Sequence, residues 1–279
     1  MRFTLSFDTD TSTIPDTVPT AASAGSDLQG YAVHNACVEL NRRLEPFRQK
    51  LGKDASLSAL AGAAWGDRVS LSATGYYKAP GLGYEWNNME KSGNLFMYFT
   101  QGVAATEVEV NTLTGDHTVR RVDIHMDVGK SLNPAIDYGQ IEGAFTQGQG
   151  WATIEESLWL RHNGAMFTQG PGAYKLPGFS DIPQVFNVSL LRDAEWPNLN
   201  SIKASKGIGE PPLFLGASVA IAIRHALKSS RADAGITEVQ DFRLPTTSER
   251  IRMAAGDFLA KKGAVERKSG GRDGFFAHI

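Results

Sequence analysis

Apolar and polar residues alternate most cleanly between residues 96 and 126. Val103 to Val110 alternates, Thr114-Gly115-Asp116 supplies a turn, and Val119 to Met126 returns. The pattern predicts a β-hairpin with Glu107 and Glu109 on its polar side. Residues 2–7 alternate in the same way and predict a half-buried strand. Further strands are predicted over 68–77, 153–160 and 183–192, with a turn at His162-Asn163-Gly164. Elsewhere apolar positions recur at helical spacing. A first helix carries Leu28, Ala32, Val33, Ala36, Cys37, Leu40 and Leu44 on one connected face, with Asp27 as its cap. Cys37 on that face is expected to be a buried small hydrophobe rather than a reactive thiol. Helices are also predicted over 56–66, from Pro134 to about 152, after Glu210 to about Lys228, and over about 247–262. The helix after Glu210 has Val219, Ala220, Ile223, Ala226 and Leu227 as its apolar positions. Residues 8–26, rich in small residues and proline, predict an ordered loop. Strands and helices interleave without strict βαβ regularity. The fold class is therefore α+β (mixed α/β), with mixed β-sheets and packed helices. A domain over 1–262, with room for two intertwined α/β subdomains, is expected to precede a mobile tail over 263–279.

Composition narrows the classes of function. The chain has 279 residues, 42% hydrophobic and 21% charged, with a net charge of −2. That length buries a sizeable core, and that charge does not invite nucleic acid. One cysteine cannot build a disulfide framework and fits a reducing compartment. No apolar run approaches ~20 residues, so no membrane-spanning helix is expected. The N-terminal residues lack the apolar core of a signal peptide, and a cytoplasmic location is expected. The six histidines show no metal-ligand spacing, which argues against structural zinc.

Three segments carry candidate chemistry. In residues 19–27 small residues crowd in front of a helix, so backbone N–H groups can face a ligand unobstructed. Anions such as phosphates favour such places. The same pattern makes an ordinary helix cap, which is the commoner use of it. The second segment runs from Gly139 to Gly150, with four glycines in twelve residues. Each interior glycine costs a helix about 1 kcal/mol relative to alanine, so a backbone or a ligand is expected to pack there. Gln140 and Gln147 share a face, and an amide suits a polar heterocycle. Tight helix–sheet packing with surface glutamines explains the segment equally well. The third is Lys206-Gly207-Ile208-Gly209-Glu210-Pro211-Pro212. Glu210 lies at or just before a helix start, between a flexible approach and two stiff prolines. The dipole favours its carboxylate and burial opposes it, a balance that suits a general base. An ordinary structural helix start fits the position too. The phosphate-loop, dinucleotide-binding and serine-hydrolase signatures are all absent.

Together and in order, these segments resemble the C-terminal part of the xanthine dehydrogenase family of molybdenum hydroxylases. The motifs are Thr-Val-Pro-Thr-Ala-Ala-Ser-Ala (17–24), Asp-Arg-Val-Ser-Leu-Ser (67–72) and Gly-Val-Ala-Ala-Thr-Glu-Val-Glu-Val (102–110). They continue with Leu-Thr-Gly-Asp-His (113–117), the run from Met126 to Asp137, and Val-Ser-Leu-Leu-Arg-Asp (188–193). They end with Gly-Glu-Pro-Pro-Leu-Phe-Leu (209–215) and the last helix. The resemblance implies oxidative hydroxylation of a purine, hypoxanthine or xanthine to urate, with oxygen from water. It implies molybdenum-molybdopterin as cofactor and Glu210 as the general base. Ala22 becomes the backbone facing molybdenum, and Ala21, Ser23, Ala24, Gln140 and Gly209 become cofactor-binding residues. Aldehyde oxidase, nicotinate hydroxylase and a non-catalytic remnant are the alternatives. FAD and two-iron–two-sulfur clusters belong to the full-length family, and one cysteine cannot ligate such clusters here. The missing N-terminal part of the enzyme is thus an expected partner, in the same or a separate chain. A truncated product, a gene-model fragment or a split subunit is expected. A homodimer in the cytoplasm, or in the peroxisome, is also implied.

Overall fold

The computed structural model describes residues 10, 12, 17–19, 21–91, 93–192, 201–238, 242–264 and 276–277. The strand expected over 2–7, Thr20, Asp193 and most of the expected tail lie outside these residues. The chain divides into two compact units. One comprises Met1–Phe99 with Pro197–Gly207, the other Thr100–Trp196 with Ile208–Ile279.

The first unit is built on α1, Gly25–Leu51, and α2, Leu57–Gly66. Ser56 caps α2, its hydroxyl oxygen accepting from the Ala59 N–H at 3.2 Å. Leu44, Phe47, Leu60 and Ala64 close a small apolar core between the two helices. Three expectations fail here. Helix α1 starts two residues before Asp27, so Asp27 lies inside the first turn, buried, and caps nothing. Cys37 and Val33 are exposed rather than buried. Residues 68–77 form no strand. They run against α1 instead: Asn35 Nδ2 donates to the Tyr76 carbonyl at 2.8 Å and Arg43 Nη1 to the Ser72 carbonyl at 2.8 Å. Tyr77 stacks on Tyr31 with ring centroids 4.5 Å apart. A Cβ on Gly75 would overlap the Ala32 carbonyl oxygen. The alternation of 68–77 thus reflects one side lying on a helix, not a ladder.

The second unit contains the hairpin as expected. Strand β1, Gly102–Val110, pairs antiparallel with β2, His117–Met126, with a register shift between Glu107 and Val108. Helix α3 follows at Pro134–Thr153, opened by Asn133, whose side chain accepts from the Ala135 N–H at 3.2 Å. Strand β3 is only Trp159–Leu160, because residues 154–158 bond to Gly150, Tyr174 and the Thr168 hydroxyl. Gly164 closes the expected turn onto Leu160. After the short α4, Pro171–Tyr174, strand β4, Val185–Leu190, lies parallel to β2, giving the mixed order β1-β2-β4. Helix α5, Ala217–Asp233, both starts and ends later than expected, because Pro211–Gly216 form a 3-10 turn ahead of it. Val122, Ile124 and Met126 from the sheet meet Ile141, Phe145, Val219, Ile223 and Leu227 from α3 and α5. Each such side chain contributes roughly 1.5–3 kcal/mol by leaving water.

The expected last helix is broken into α6, Ser248–Ala254, and α7, Phe258–Gly263. Gly256 is left-handed at φ +67°, and the buried Arg231 donates to the carbonyls of Ala254 and Ala255 at 3.0 and 3.2 Å. That guanidinium satisfies the final carbonyls of α6, so the helix ends there. Strand β5, Phe276–Ala277, pairs parallel with β3.

Candidate functional site

In the first unit the loop before α1 is held in an unusual backbone state. Ala22 and Ser23 are both left-handed, at φ 53° and 52°. Each costs roughly 1–2 kcal/mol for a residue with a Cβ, and such strain gathers where backbone must face a ligand. Ala21 and Ala22 are exposed, Ser23 and Ala24 half-buried. Ala24, at φ −90° and ψ 0°, begins the 27-residue α1 and makes no side-chain cap. The start of α1 thus has no side-chain cap and carries only small side chains on the residues just before it.

Beneath this loop lies a polar chain that the sequence did not point to. Asp27, 5% exposed, accepts a hydrogen bond from the Tyr98 hydroxyl at 2.5 Å. The Gly207 N–H donates to that same hydroxyl oxygen at 2.8 Å. Lys206 Nζ donates to the Phe99 carbonyl at 2.9 Å. Burial pushes the Asp27 carboxyl upward, and the Tyr98 bond partly opposes it. Burial and the neighbouring Asp27 carboxylate push the Tyr98 hydroxyl strongly upward. Gly207 lies directly on Ser23: a Cβ there would come within 3.1 Å of both the Ser23 Cβ and its carbonyl oxygen.

In the second unit Glu210 immediately precedes a 3-10 turn, Pro211–Gly216. Glu210 is exposed and Gly209 half-buried. The Glu210 side chain makes no capping hydrogen bond, so it is not there to finish the helix. The turn is pressed onto α3 backbone to backbone. A Cβ on Gly148 would lie 2.8 Å from the Leu213 carbonyl carbon, and a Cβ on Gly216 2.5 Å from the Phe145 carbonyl oxygen. This accounts for Gly148. Gly150 is likewise crowded, by Pro177 and Glu155. Gly139 and Gly143 face open space, and Gln140 and Gln147 are exposed beside them. Gln149 is the buried amide of α3, its Nε2 donating to the Asp181 carbonyl at 2.6 Å. Its helical spacing from Phe145 and Ala152 could have revealed it. Glu210 and Gln140 thus belong to one unit, while Ala21, Ala22, Ser23 and Ala24 belong to the other. Among the described residues no group of three or more His, Cys, Asp or Glu side chains could hold a metal ion, and no helix is long and apolar enough to cross a membrane.

Residues 6–183 match the family model of the molybdopterin cofactor-binding domain. The chain belongs to that family. It is 55% identical over 270 residues to a xanthine dehydrogenase of Emericella nidulans, covering 97% of this chain and 20% of that protein. It is 52% identical over 275 residues to a nicotinate hydroxylase of the same organism, covering 98% of this chain and 19% of that protein. A xanthine dehydrogenase/oxidase of Gallus gallus is 52% identical over 254 residues, 91% of this chain and 18% of that protein. The chain thus spans about a fifth of the length of these relatives. Among solved structures, the aldehyde oxidoreductase from Desulfovibrio gigas shares the fold. Its TM-score is 0.67 at 24% identity, over 88% of this chain and 24% of that one. A Cu,Mo-CO dehydrogenase gives 0.66 at 19% identity, over 90% and 31%.

The residues of the first unit fit such a cofactor. The uncapped start of α1 offers N–H donors and a positive dipole end to a phosphate. The residues just before that start, Ala21-Ala22-Ser23-Ala24, put no bulky side chain beside it.

Proposed function

We propose that this chain forms the C-terminal portion of the molybdopterin-binding region of a purine hydroxylase, acting on a carbon beside a ring nitrogen. One observation carries the reading. Gly209-Glu210-Pro211-Pro212 stands in a chain 55% identical, over 97% of its length, to a xanthine dehydrogenase. When bound, the cofactor supplies the two-electron oxidation of the substrate carbon and the activation of water. The chain's own residues do the rest. Glu210 takes the proton from the attacking oxygen, a role worth roughly 10²–10⁴ in rate. The prolines after it fix its backbone, and Gly209 lets substrate or cofactor come close. Ala22 presents backbone and one methyl group to the metal. The amides of the α1 start, with neighbouring Ala21, Ser23 and Ala24 beside them, hold the phosphate and the pterin. Gln140 hydrogen-bonds the pterin through its amide.

The rest of the enzyme, with its FAD and two-iron–two-sulfur region, is the partner that completes the pocket and carries electrons away. A cytoplasmic homodimer is the assembly that goes with this reading. A second substrate class has specific support, because a nicotinate hydroxylase is 52% identical over 98% of the chain. Both substrates offer a carbon beside a ring nitrogen. The test is to purify the enzyme containing this chain, measure its molybdenum, and compare turnover of hypoxanthine, xanthine, nicotinate and an aldehyde. Bound molybdenum with hypoxanthine and xanthine as preferred substrates is expected. Preference for nicotinate or the aldehyde would move the assignment within the family. Absent metal would leave a non-catalytic remnant.

A further inference from the structure

We propose that Tyr98, with Asp27 and Gly207, is a positioning residue that holds the Ala22–Ser23 turn in the form that receives molybdopterin. This rests on the reading of that turn as part of the cofactor site, and every residue involved lies in the first unit. The turn is one that its own residues disfavour. The Ala24 N–H donates to the Ala21 carbonyl at 3.2 Å, and the two residues between are left-handed, at φ 53° and 52°. Glycine, asparagine and aspartate dominate turns with two central residues of positive φ, and here stand alanine and serine. Such a backbone persists only where its surroundings over-determine it.

The surroundings are residues 201–207, laid along the start of α1. The Tyr31 hydroxyl donates to the Ser201 carbonyl at 3.3 Å. Ile202 fills the space beside Gly30, where a Cβ would come within 2.8 Å of its Cγ1. At the other end Gly207 rests on Ser23, where a Cβ would lie 3.1 Å from both the Ser23 Cβ and its carbonyl oxygen. Gly207 is in turn held in place. Its N–H donates to the Tyr98 hydroxyl oxygen at 2.8 Å, and that hydroxyl gives its own proton to Asp27 at 2.5 Å. Lys206 Nζ donates to the Phe99 carbonyl at 2.9 Å, so residues 206–207 are fastened twice to the Tyr98–Phe99 pair. Asp27 is buried in the first turn of α1 and caps nothing. A buried carboxylate is costly unless it is bonded, and bonds to a carboxylate are among the shorter and stronger ones. Tyr98 thus joins the first turn of α1 to the residue that presses on Ser23. Without its hydroxyl the turn can relax. The apparent affinity for a cofactor then falls with the fraction of time that the turn keeps its form, and a tenfold loss means a fraction of about one tenth.

The test uses the whole enzyme that contains this chain. It reads molybdopterin bound per chain after gel filtration and the rate of its loss on dilution. Tyr98→Phe removes the donor to Asp27 and the acceptor for Gly207, and should speed the loss about 10–100-fold. Amide exchange over residues 22–27 of the cofactor-free enzyme should quicken at least about tenfold, while α2 stays protected. Gly207→Ala keeps the hydrogen bonds and pushes only on Ser23, so it should speed the loss about fivefold or more. Should Tyr98→Phe fold poorly, Gly207→Ala carries the test. Leu60→Val loosens the small core between α1 and α2 without touching the turn, and should keep the cofactor as wild type does. The proposal is overturned by a loss rate in Tyr98→Phe or Gly207→Ala within about twofold of wild type. It is overturned equally if Leu60→Val loses the cofactor as fast as they do. Wild-type enzyme that holds no molybdopterin would end the cofactor reading, and this role with it. Amide exchange in Tyr98→Phe would still decide whether the hydroxyl holds the turn.

Discussion

Gly148 and Gly143 lie on the same helix, and the same substitution should move stability in opposite directions at the two positions. Alanine in place of an interior helical glycine gains about 1 kcal/mol in propensity. At Gly143 nothing lies within reach of the added methyl, so that gain should be realised. At Gly148 the methyl would lie 2.8 Å from the Leu213 carbonyl carbon, 3.3 Å from the Gly216 Cα, and closer still to the Leu213 oxygen. These are backbone atoms, with no flexible side chain to yield. The 211–216 turn must lift from α3, and overpacking of this kind typically costs 1–3 kcal/mol or more, here at the upper end of about 3. The net loss at Gly148 is about 2 kcal/mol, and the two variants should differ by about 3 kcal/mol. For a chain of this size, about 1 kcal/mol corresponds to roughly 2–4 °C, so their melting temperatures should differ by roughly 6–12 °C. Thermal melts of the two purified variants, followed by circular dichroism, measure this. Melting temperatures within about 2 °C of each other would refute the close approach of the turn to α3.

Other substitutions test other parts of the account. Arg231→Met removes the donors to Ala254, Ala255 and Glu238 carbonyls. It should cost about 2–4 kcal/mol, seen as a lower denaturation midpoint with an unchanged slope; a loss under about 0.5 kcal/mol would count against that role. Burial raises the Asp27 carboxyl above its ordinary value of 3.8, so its contribution to stability is full below that value and is lost as pH rises through the folded one. Asp27→Asn should therefore gain on wild type between pH 4 and pH 7, and an advantage that shrinks over this interval would be the wrong sign. Ala22→Gly relieves a left-handed φ and should raise stability by up to about 1 kcal/mol. Destabilisation by the glycine would mean the loop is not strained.

The sequence was most legible where one periodicity had one cause. The hairpin of β1 and β2 and the start of α3 at Asn133-Pro134 stand where alternation and capping signals put them. The parallel addition of β4 beside β2 was not legible, since alternation is blind to partner and direction. Residues 68–77 alternate because one side rests on α1, a cause that mimics a strand. The break between α6 and α7 depends on Arg231, distant in sequence. At the candidate site, the Ala21–Ala24 loop, Gln140 and the Gly-Glu-Pro-Pro motif could all be named from residue types. The Asp27–Tyr98–Gly207 chain could not. Its members are 71 and 109 residues apart in successive bonds, and none has a motif of its own. Asp27 looked like a helix cap because carboxylates usually begin helices from outside the first turn.

The central claim is that Glu210 is the base of a molybdenum hydroxylase. The most direct measurement is turnover of hypoxanthine by a Glu210→Gln enzyme whose molybdenum content is assayed in the same preparation. Glutamine keeps the shape and the exposed position ahead of Pro211 and loses the basic carboxylate. The account predicts full metal content with turnover lowered by roughly 10²–10⁴-fold. Full metal content with near-normal turnover would contradict it.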